Sequence, residues 1–300
     1  MTKPFSFDTT TTSFSSILDT PEFVSSFDGT QLAYYPFINP SSIATIVFYH
    51  GGGLWSTGLY QHMAQELCDK YNITTYLFDI RGHGNSDGSR GDTPQTKSVW
   101  QDIDIALDLV RRKHSNIPLF LSGHSAGAGV ILNYASWKGD VDVDGYLFLA
   151  PFLGVLSPAT RYSSKKFISR IKILPLIVSI LSQGKFFNNE PAVFFNFPEA
   201  MKLDNKILDY YTYAMVRAVT PINPSKQFAA LGKMFGLFIG SDDELFRPHK
   251  TISYEKHAQQ QIKKSSVAEI IEGETHLSIV VAASKYISSF VDRFKNIPLI

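Results

Sequence analysis

Gly123-His124-Ser125-Ala126-Gly127 is the stretch with the most chemical content in this chain. It has the G-x-S-x-G form, in which a sharp strand-to-helix turn lifts a serine hydroxyl out of a sheet. The turn crowds the residues two before and two after the serine, so both must lack a side chain. The context agrees: apolar Leu119–Leu121 precedes the turn and apolar Ala128–Ser136 follows it. A serine hydroxyl is a weak nucleophile without a base. On such an elbow the partners come later in the chain, an acid first and then a histidine. Of the eight histidines, only His276 lies just beyond the last strand-like run, in Gly273-Glu274-Thr275-His276-Leu277. His249 and His257 precede that run and read as surface residues. The acid is expected after the preceding strand, where Gly240-Ser241-Asp242-Asp243-Glu244 offers three carboxylates. Asp243 is the first choice and Asp242 the alternative. Ser125 would attack an acyl carbon, His276 would take and return the proton, and Asp243 would orient His276 and stabilise its charged form.

The oxyanion formed by that attack needs preorganised donors, and backbone N–H groups supply them without reorganisation. One is expected from Ala126, the residue after the nucleophile. The other is expected from His50-Gly51-Gly52-Gly53, where glycine permits a backbone that aims an N–H inward. Gly52 is the first choice there and Gly53 the alternative. His50 reads as a brace for this loop through side-chain hydrogen bonds.

These residues need a scaffold, and the hydrophobic pattern predicts one. Phe23–Phe27, Asp28-Gly29 and Thr30–Phe37 read as a hairpin, since Asp-Gly between two β-rich runs is a strong turn signal. Strand and helix patterns then alternate: strand Thr45–Tyr49, helix Leu59–Tyr71, strand Ile73–Phe78, helix Lys97–Lys113, strand Leu119–Leu121, helix Ala128–Ser136, strand Tyr146–Leu149. Helix 97–113 carries Val99, Ile103, Ala106, Leu107 and Val110 at helical spacing. Such alternation predicts a mostly parallel sheet with helices on both faces, whose buried strands read as continuous apolar runs. From Val155 to about Pro224 the alternation stops. Helical stretches there are broken by Pro158, Pro175, Pro191, Pro198 and Pro221, and no strand is evident. It resumes with strand Phe235–Ile239, a helix near Ser253–Lys264, strand Val267–Ile271 and a helix from Leu277 to about Phe294. The expected organisation is an arm over 1–22, a catalytic domain over 23–154 and 225–300, and an all-helical cap inserted over 155–224.

Composition excludes several classes. Of the 300 residues, 44% are hydrophobic and only 18% charged, which rules out a largely disordered chain. A net charge of +1 argues against binding nucleic acid by phosphate neutralisation. One cysteine, Cys68, excludes an intramolecular disulfide and a cysteine-based zinc site. Cys68 falls in a helical pattern and reads as a small buried apolar residue. There is no P-loop, no H-E-x-x-H zinc helix and no clean G-x-G-x-x-G, so neither cofactor nor metal is expected. The Ser/Thr-rich N-terminus lacks a signal-peptide core, and the longest apolar run, Ile173–Leu181, is short of a membrane span. A cytoplasmic protein is the default expectation.

Taken together, His50–Gly53, the run Asp79-Ile80-Arg81-Gly82-His83-Gly84-Asn85-Ser86-Asp87-Gly88, Gly123–Gly127, Gly240–Glu244 and His276 resemble an α/β-hydrolase. More narrowly, the chain is similar to the branch containing monoacylglycerol lipases, lysophospholipase-like enzymes and S33 aminopeptidases. The resemblance covers roughly residues 23 to 295. It implies an eight-stranded, mostly parallel sheet, helices on both faces and a helical cap after the sixth strand. It also implies structural roles for Asp79 and Arg81. Some relatives place the acid after the sixth strand, but here no acidic residue occurs between Ala150-Pro151 and Glu190. Monoacylglycerol lipases usually carry Glu-His just after the oxyanion turn, where this chain has Leu54-Trp55-Ser56. The serine nucleophile disfavours the dehalogenase and epoxide-hydrolase relatives, which use Asp at that position.

The cap segment is unusual in charge. No acidic residue falls between Gly145 and Asn189, whereas Arg161, Lys165, Lys166, Arg170, Lys172 and Lys185 surround the apolar run Ile173–Leu181. That pattern reads as a cap core with a solvated basic face, or as a surface for transient contact with anionic lipid. Phe186, Phe187, Phe194, Phe195 and Phe197 suit a cap core and an acyl chain. The expected activity is cleavage of lipid-like carboxylic esters, such as monoacylglycerols or lysophospholipids. An S33-type aminopeptidase is the alternative, and would need an acid in the cap (Glu190, Glu199, Asp204 or Asp209) to hold the substrate amine. A non-catalytic binding protein on the same scaffold is the third reading.

Overall fold

A computed structural model describes residues 15–56, 58–161, 167–182, 184–199 and 206–296. Most of the N-terminal arm, Lys165, Lys166 and Asp204 lie outside the described residues. The strands are β1 Glu22–Ser25, β2 Gln31–Phe37, β3 Ala44–Tyr49, β4 Ile73–Phe78, β5 Leu119–His124, β6 Gly145–Leu149, β7 Ile168–Ile171, β8 Pro191–Phe195, β9 Tyr210–Thr212, β10 Met234–Gly240 and β11 Val267–Ile271. The helices are α1 Leu59–Tyr71, α2 Thr96–Lys113, α3 Ala126–Lys138, α4 Ile173–Leu181, α5 Tyr213–Val219, α6 Pro224–Ala229, α7 Pro248–Ile252, α8 Gln260–Ser265 and α9 Ser278–Lys295.

Eight strands form one sheet in the order β1-β2-β4-β3-β5-β6-β10-β11. The β1–β2 and β2–β4 pairs are antiparallel, and the rest of the sheet is parallel. Strands β3, β4, β5, β6 and β10 are buried at every position, as a sheet covered on both faces requires. Helix α3 is apolar on all sides because it is enclosed, with Ala126 to Ala135 buried without a break. The boundaries follow the hydrophobic pattern closely except near 253–264, where the single helix expected is instead a 3-10 turn over Ser253–His257 followed by α8, with α7 before it. Where they differ, a polar or glycine-bearing end such as Ser122-Gly123-His124 continues a strand that the apolar count alone stops at Leu121.

The cap departs from expectation. It contains helices α4 and α5, but it also holds a three-stranded antiparallel sheet, β7-β8-β9. The all-helical reading of 155–224 is corrected. These strands are 3 to 5 residues long, and β8 begins on Pro191, which reads from sequence as a breaker. Proline is tolerated at the first residue of a strand, where its missing N–H costs no ladder bond. Pro175 likewise sits in the first turn of α4 and does not interrupt it.

Cys68 is a buried, unpaired thiol on α1, as its pattern suggested. Among the described residues no helix is long and apolar enough to cross a membrane, and no group of His, Cys, Asp or Glu is arranged to hold a metal ion.

A Cβ placed on Gly127 would lie 2.4 Å from the Tyr49 carbonyl oxygen and 2.5 Å from that of His50. Both are backbone atoms at the end of β3, so neither can move alone. Gly127→Ala is therefore expected to destabilise the fold by about 3 kcal/mol. Gly232→Ala, where a Cβ meets nothing within 4 Å, should change stability by less than about 0.5 kcal/mol. Urea midpoints of the two variants against wild type check this.

Candidate active site

Ser125 joins β5 to α3 with φ 52° and ψ −115°, a backbone conformation that few non-glycine residues adopt. Neighbouring chain holds it there. Its N–H donates to the Leu149 carbonyl at 3.0 Å, and its carbonyl accepts from Gly129 (3.1 Å) and Phe152 (3.0 Å). The glycines on either side are obligatory: a Cβ on Gly123 would approach the Gly127 carbonyl carbon to 2.7 Å. Strain of this kind persists only where the surroundings over-determine it.

The sheet brings the distant partners to this serine. Asp243 follows β10 and His276 follows β11, which are neighbouring parallel strands. The Ser125 hydroxyl and His276 Nε2 are 3.0 Å apart, and His276 Nδ1 is 2.8 Å from Asp243 Oδ2. With a carboxylate facing Nδ1, the proton sits there and Nε2 is free to accept from Ser125 Oγ. The other Asp243 oxygen accepts the N–H groups of Leu245 (2.9 Å) and Phe246 (2.6 Å). All three side chains are buried. Phe246 lies edge-on against the His276 ring, 5.0 Å between centroids. Asp242, the alternative acid, is exposed and takes the Ser241 hydroxyl at 3.3 Å.

Gly52 and Ala126 line one cavity beside Ser125. Among the described residues neither amide has a hydrogen-bond acceptor. The Gly53 amide, by contrast, donates to the Tyr211 hydroxyl at 2.9 Å and is spent. Of the two turn donors anticipated, Gly52 is the one left available.

Several supporting residues escaped the sequence reading. Glu244 accepts the His276 backbone N–H at 2.9 Å, and burial raises its pKa. His124 donates from Nε2 to the His276 carbonyl at 2.9 Å and accepts the Tyr60 hydroxyl at Nδ1, also 2.9 Å. His83 accepts the Tyr211 hydroxyl at Nε2 (2.7 Å) and donates from Nδ1 to the Arg81 carbonyl (3.0 Å). His50 braces its loop as anticipated: Nε2 accepts the Ile80 N–H at 3.1 Å, and Nδ1 donates to the Gly51 carbonyl at 2.9 Å. A signal for these residues was available, since His50, His83 and His124 each neighbour a glycine at or after the C-terminal ends of β3, β4 and β5, which are adjacent in the sheet.

Desolvation pushes His83 and His124 well below the ordinary imidazole value and His50 to about 4. Three uncharged rings therefore surround the site. Asp79 and Arg81 take structural positions. Asp79, raised by burial to about 6, accepts the N–H groups of Ser56 (2.7 Å) and Asn85 (2.8 Å). Arg81 forks onto Asp102 with two 2.6 Å bonds and reaches Asp28 at 2.8 Å.

The cavity over Ser125 has a volume of about 700 Å³. Its walls are mainly apolar, with Phe152, Phe167, Phe195, Val219, Leu245 and Phe246 among them. Arg161, Arg170 and Arg247 are its charged members, and no acidic residue lines it among those described. Arg161 Nε also donates to the Asp243 and Phe246 carbonyls, at 3.0 and 2.8 Å, tying the cap entrance to the acid loop.

A serine elbow, an acid and a histidine at successive strand ends, and a cap inserted after the sixth strand of the main sheet define an α/β-hydrolase. The chain belongs to the serine aminopeptidase S33 family of that fold, whose model matches residues 40–277. Monoglyceride lipase of Saccharomyces cerevisiae is 29% identical over 164 residues, which is 49% of this chain and 51% of that protein. An uncharacterized Escherichia coli protein, YnbC, is 36% identical over 261 residues, 81% of this chain and 41% of that protein. The chain thus spans about half, or less, of the length of these curated relatives. The crystal structure of a soluble variant of the yeast monoglyceride lipase, in complex with a substrate analog, superposes with a TM-score of 0.72. That match covers 94% of this chain and 98% of the other at 18% identity, a likeness of fold.

A histidine whose folded pKa is depressed contributes stability that is present above its unfolded value, near 6.5, and lost as pH falls toward its folded value. For His50 that window runs from about 6.5 to about 4. His50→Gln lacks this titration. The stability advantage of wild type over His50→Gln should therefore shrink from neutral pH to pH 4, by roughly 3 kcal/mol at most. Urea unfolding of both proteins across that range measures the difference.

Proposed function

We propose that this protein is a carboxylic ester hydrolase that cleaves lipid-like esters through an acyl-enzyme on Ser125. The observation that carries the reading is the continuous bonding from Asp243 through His276 to the Ser125 hydroxyl, at the floor of a large apolar cavity. His276 Nε2 takes the serine proton as Oγ attacks the ester carbonyl, and the carbonyl oxygen becomes an oxyanion received by the Gly52 and Ala126 amides. His276, now charged, is stabilised by Asp243 and returns the proton to the leaving alcohol. Water activated by the same ring then releases the acid. Burial of all three side chains strengthens each of these charge interactions.

Cavity chemistry favours a lipid-like ester over an aminopeptidase substrate. Holding a substrate ammonium in a buried site calls for a carboxylate, and the described residues lining the cavity supply guanidinium groups instead. Glu190, Glu199 and Asp209, the described cap acids, are not among the lining residues. The apolar walls suit an acyl chain. Ile173, Leu174, Ile177 and Leu181 are exposed on α4, next to Lys172, which supports contact of the cap with an anionic lipid surface where such esters reside.

Ser125→Ala is expected to abolish hydrolysis of p-nitrophenyl esters, and wild-type kcat/KM should rise by up to about fourfold per CH₂ as the acyl chain lengthens. Activity retained in Ser125→Ala, or aminoacyl p-nitroanilides cleaved in preference to esters, would overturn the reading. For the lipid contact, Leu174→Glu combined with Leu181→Glu should lower turnover of a monoacyl ester carried in anionic vesicles by at least about fivefold. The same variant should cleave a short soluble ester within about twofold of wild type; equal turnover on vesicles would count against membrane docking.

A further inference from the structure

We infer that Tyr211 of the cap is a positioning residue for the oxyanion turn, so that the cap supplies part of the scaffold that holds the Gly52 amide in place. The inference rests on the ester-hydrolase reading above and adds a residue to it.

The turn His50–Gly53 is gripped by two phenols from opposite sides. On one side the Tyr60 hydroxyl, from α1, accepts the Gly51 N–H at 2.8 Å and faces His124 Nδ1 at 2.9 Å. On the other side the Tyr211 hydroxyl, from β9, accepts the Gly53 N–H at 2.9 Å and faces His83 Nε2 at 2.7 Å. Each histidine donates its other ring N–H to a carbonyl, His276 for His124 and Arg81 for His83. The ring nitrogen facing each phenol must therefore accept. A phenol has one proton to give. With that proton committed to histidine, its lone pairs are left for the glycine amide, and the direction of both bonds is fixed. Burial raises the pKa of both phenols and lowers that of both histidines, so all four groups stay uncharged and the pattern stays intact across the physiological range.

Gly52 lies between the two clamped amides. Three successive glycines would otherwise give the turn the largest conformational freedom the backbone offers. Gly53 itself has φ +73°, and a Cβ there would meet the Phe197 ring at 2.6 Å, so the position has to be glycine and has to be restrained from outside. The cap takes both of its polar groups: the N–H goes to Tyr211, and the carbonyl accepts the Leu208 N–H at 3.1 Å. The strand carrying Tyr211 is anchored in turn. The Thr212 N–H donates to the Gly91 carbonyl at 3.0 Å, and the Thr212 hydroxyl to Asp92 at 2.6 Å. Tyr211 also packs edge-on against Phe195, 4.8 Å between centroids, which fixes its ring independently of its hydroxyl. Displacement of β9 together with the residues leading into it would remove both polar restraints from Gly53 at once.

An oxyanion donor acts in the transition state, so loosening it lowers kcat and leaves KM nearly unchanged. Tyr211→Phe keeps the ring and deletes the clamp. We expect its kcat on p-nitrophenyl butyrate, per active site titrated with a fluorophosphonate, to fall about tenfold with KM within twofold. The inhibition constant for an alkyl trifluoromethyl ketone, whose hemiketal oxygen occupies the same hole, should rise by the same factor. His83→Leu, which leaves the phenol proton without its acceptor, should lose a comparable factor. Tyr211→Phe/His83→Leu should lose little more than either variant alone, because both remove one clamp. Values of kcat and inhibition constant within twofold of wild type in Tyr211→Phe, or losses that multiply in the double variant, would overturn the inference while leaving the enzyme intact. A wild-type protein inert toward esters and unlabelled by the fluorophosphonate would overturn the hydrolase reading, and this inference with it.

Discussion

The backbone at Ser125 is the constraint on which the rest of the site depends. A non-glycine residue at φ 52° is unfavourable, and it is held by hydrogen bonds from β6 and from the first turn of α3. That arrangement requires Gly123 and Gly127 to approach backbone atoms more closely than any side chain allows. It also requires β3, β5 and β6 to lie side by side in register, because the carbonyls of Tyr49, His50 and Leu149 form the walls against which the elbow is pressed. The large apolar core serves this end: a strained turn keeps its shape only if the elements around it are too well packed to yield.

Around the elbow, three buried imidazoles are each satisfied at both ring nitrogens. His50, His83 and His124 each have one ring nitrogen donating and one accepting, and desolvation keeps all three uncharged. Buried networks of this kind stabilise one arrangement when every member is paired, and are costly when one is not. Here they join the His50–Gly53 turn, the elbow and the loop carrying His276 into a single bonded unit. The His276 carbonyl, for example, is held by the same imidazole whose other nitrogen is tied through Tyr60 to Gly51. Positions that must agree to within a few tenths of an ångström thus share their supports.

The cap serves two purposes. Its inner face, with Phe167, Val193 and Phe195, closes the apolar cavity over Ser125. Its short sheet also delivers Tyr211 to Gly53, and the chain leading into β9 delivers Leu208. A purely helical cap would not present alternate residues of one strand in this way. In β9, Tyr211 turns toward the His50–Gly53 turn, while its neighbours Tyr210 and Thr212 contact Phe194 and the 91–92 loop.

The sequence by itself determined the local features. Continuous apolar runs marked the parallel strands, helical spacing marked α2, and the spacing of Gly123, Ser125 and Gly127 marked an elbow, because steric exclusion of a Cβ is a property of a few consecutive residues. Chain order led to the expectation of an acid after β10 and a histidine after β11, and the elbow motif itself pointed to Ser125 and Ala126. What only the tertiary structure decided were matters of contact between distant segments. Asp243 is buried against His276 while Asp242 is exposed, a difference between adjacent carboxylates that only packing decides. Gly53 is spent on Tyr211, from a strand more than a hundred and fifty residues away. The cap strands were illegible because they are 3 to 5 residues long and gain their stability from pairing with one another, which no period in the sequence records. Periodicity and steric exclusion are local and can be read from the chain; pairing, burial and the direction of a hydrogen bond depend on partners that the fold alone brings together.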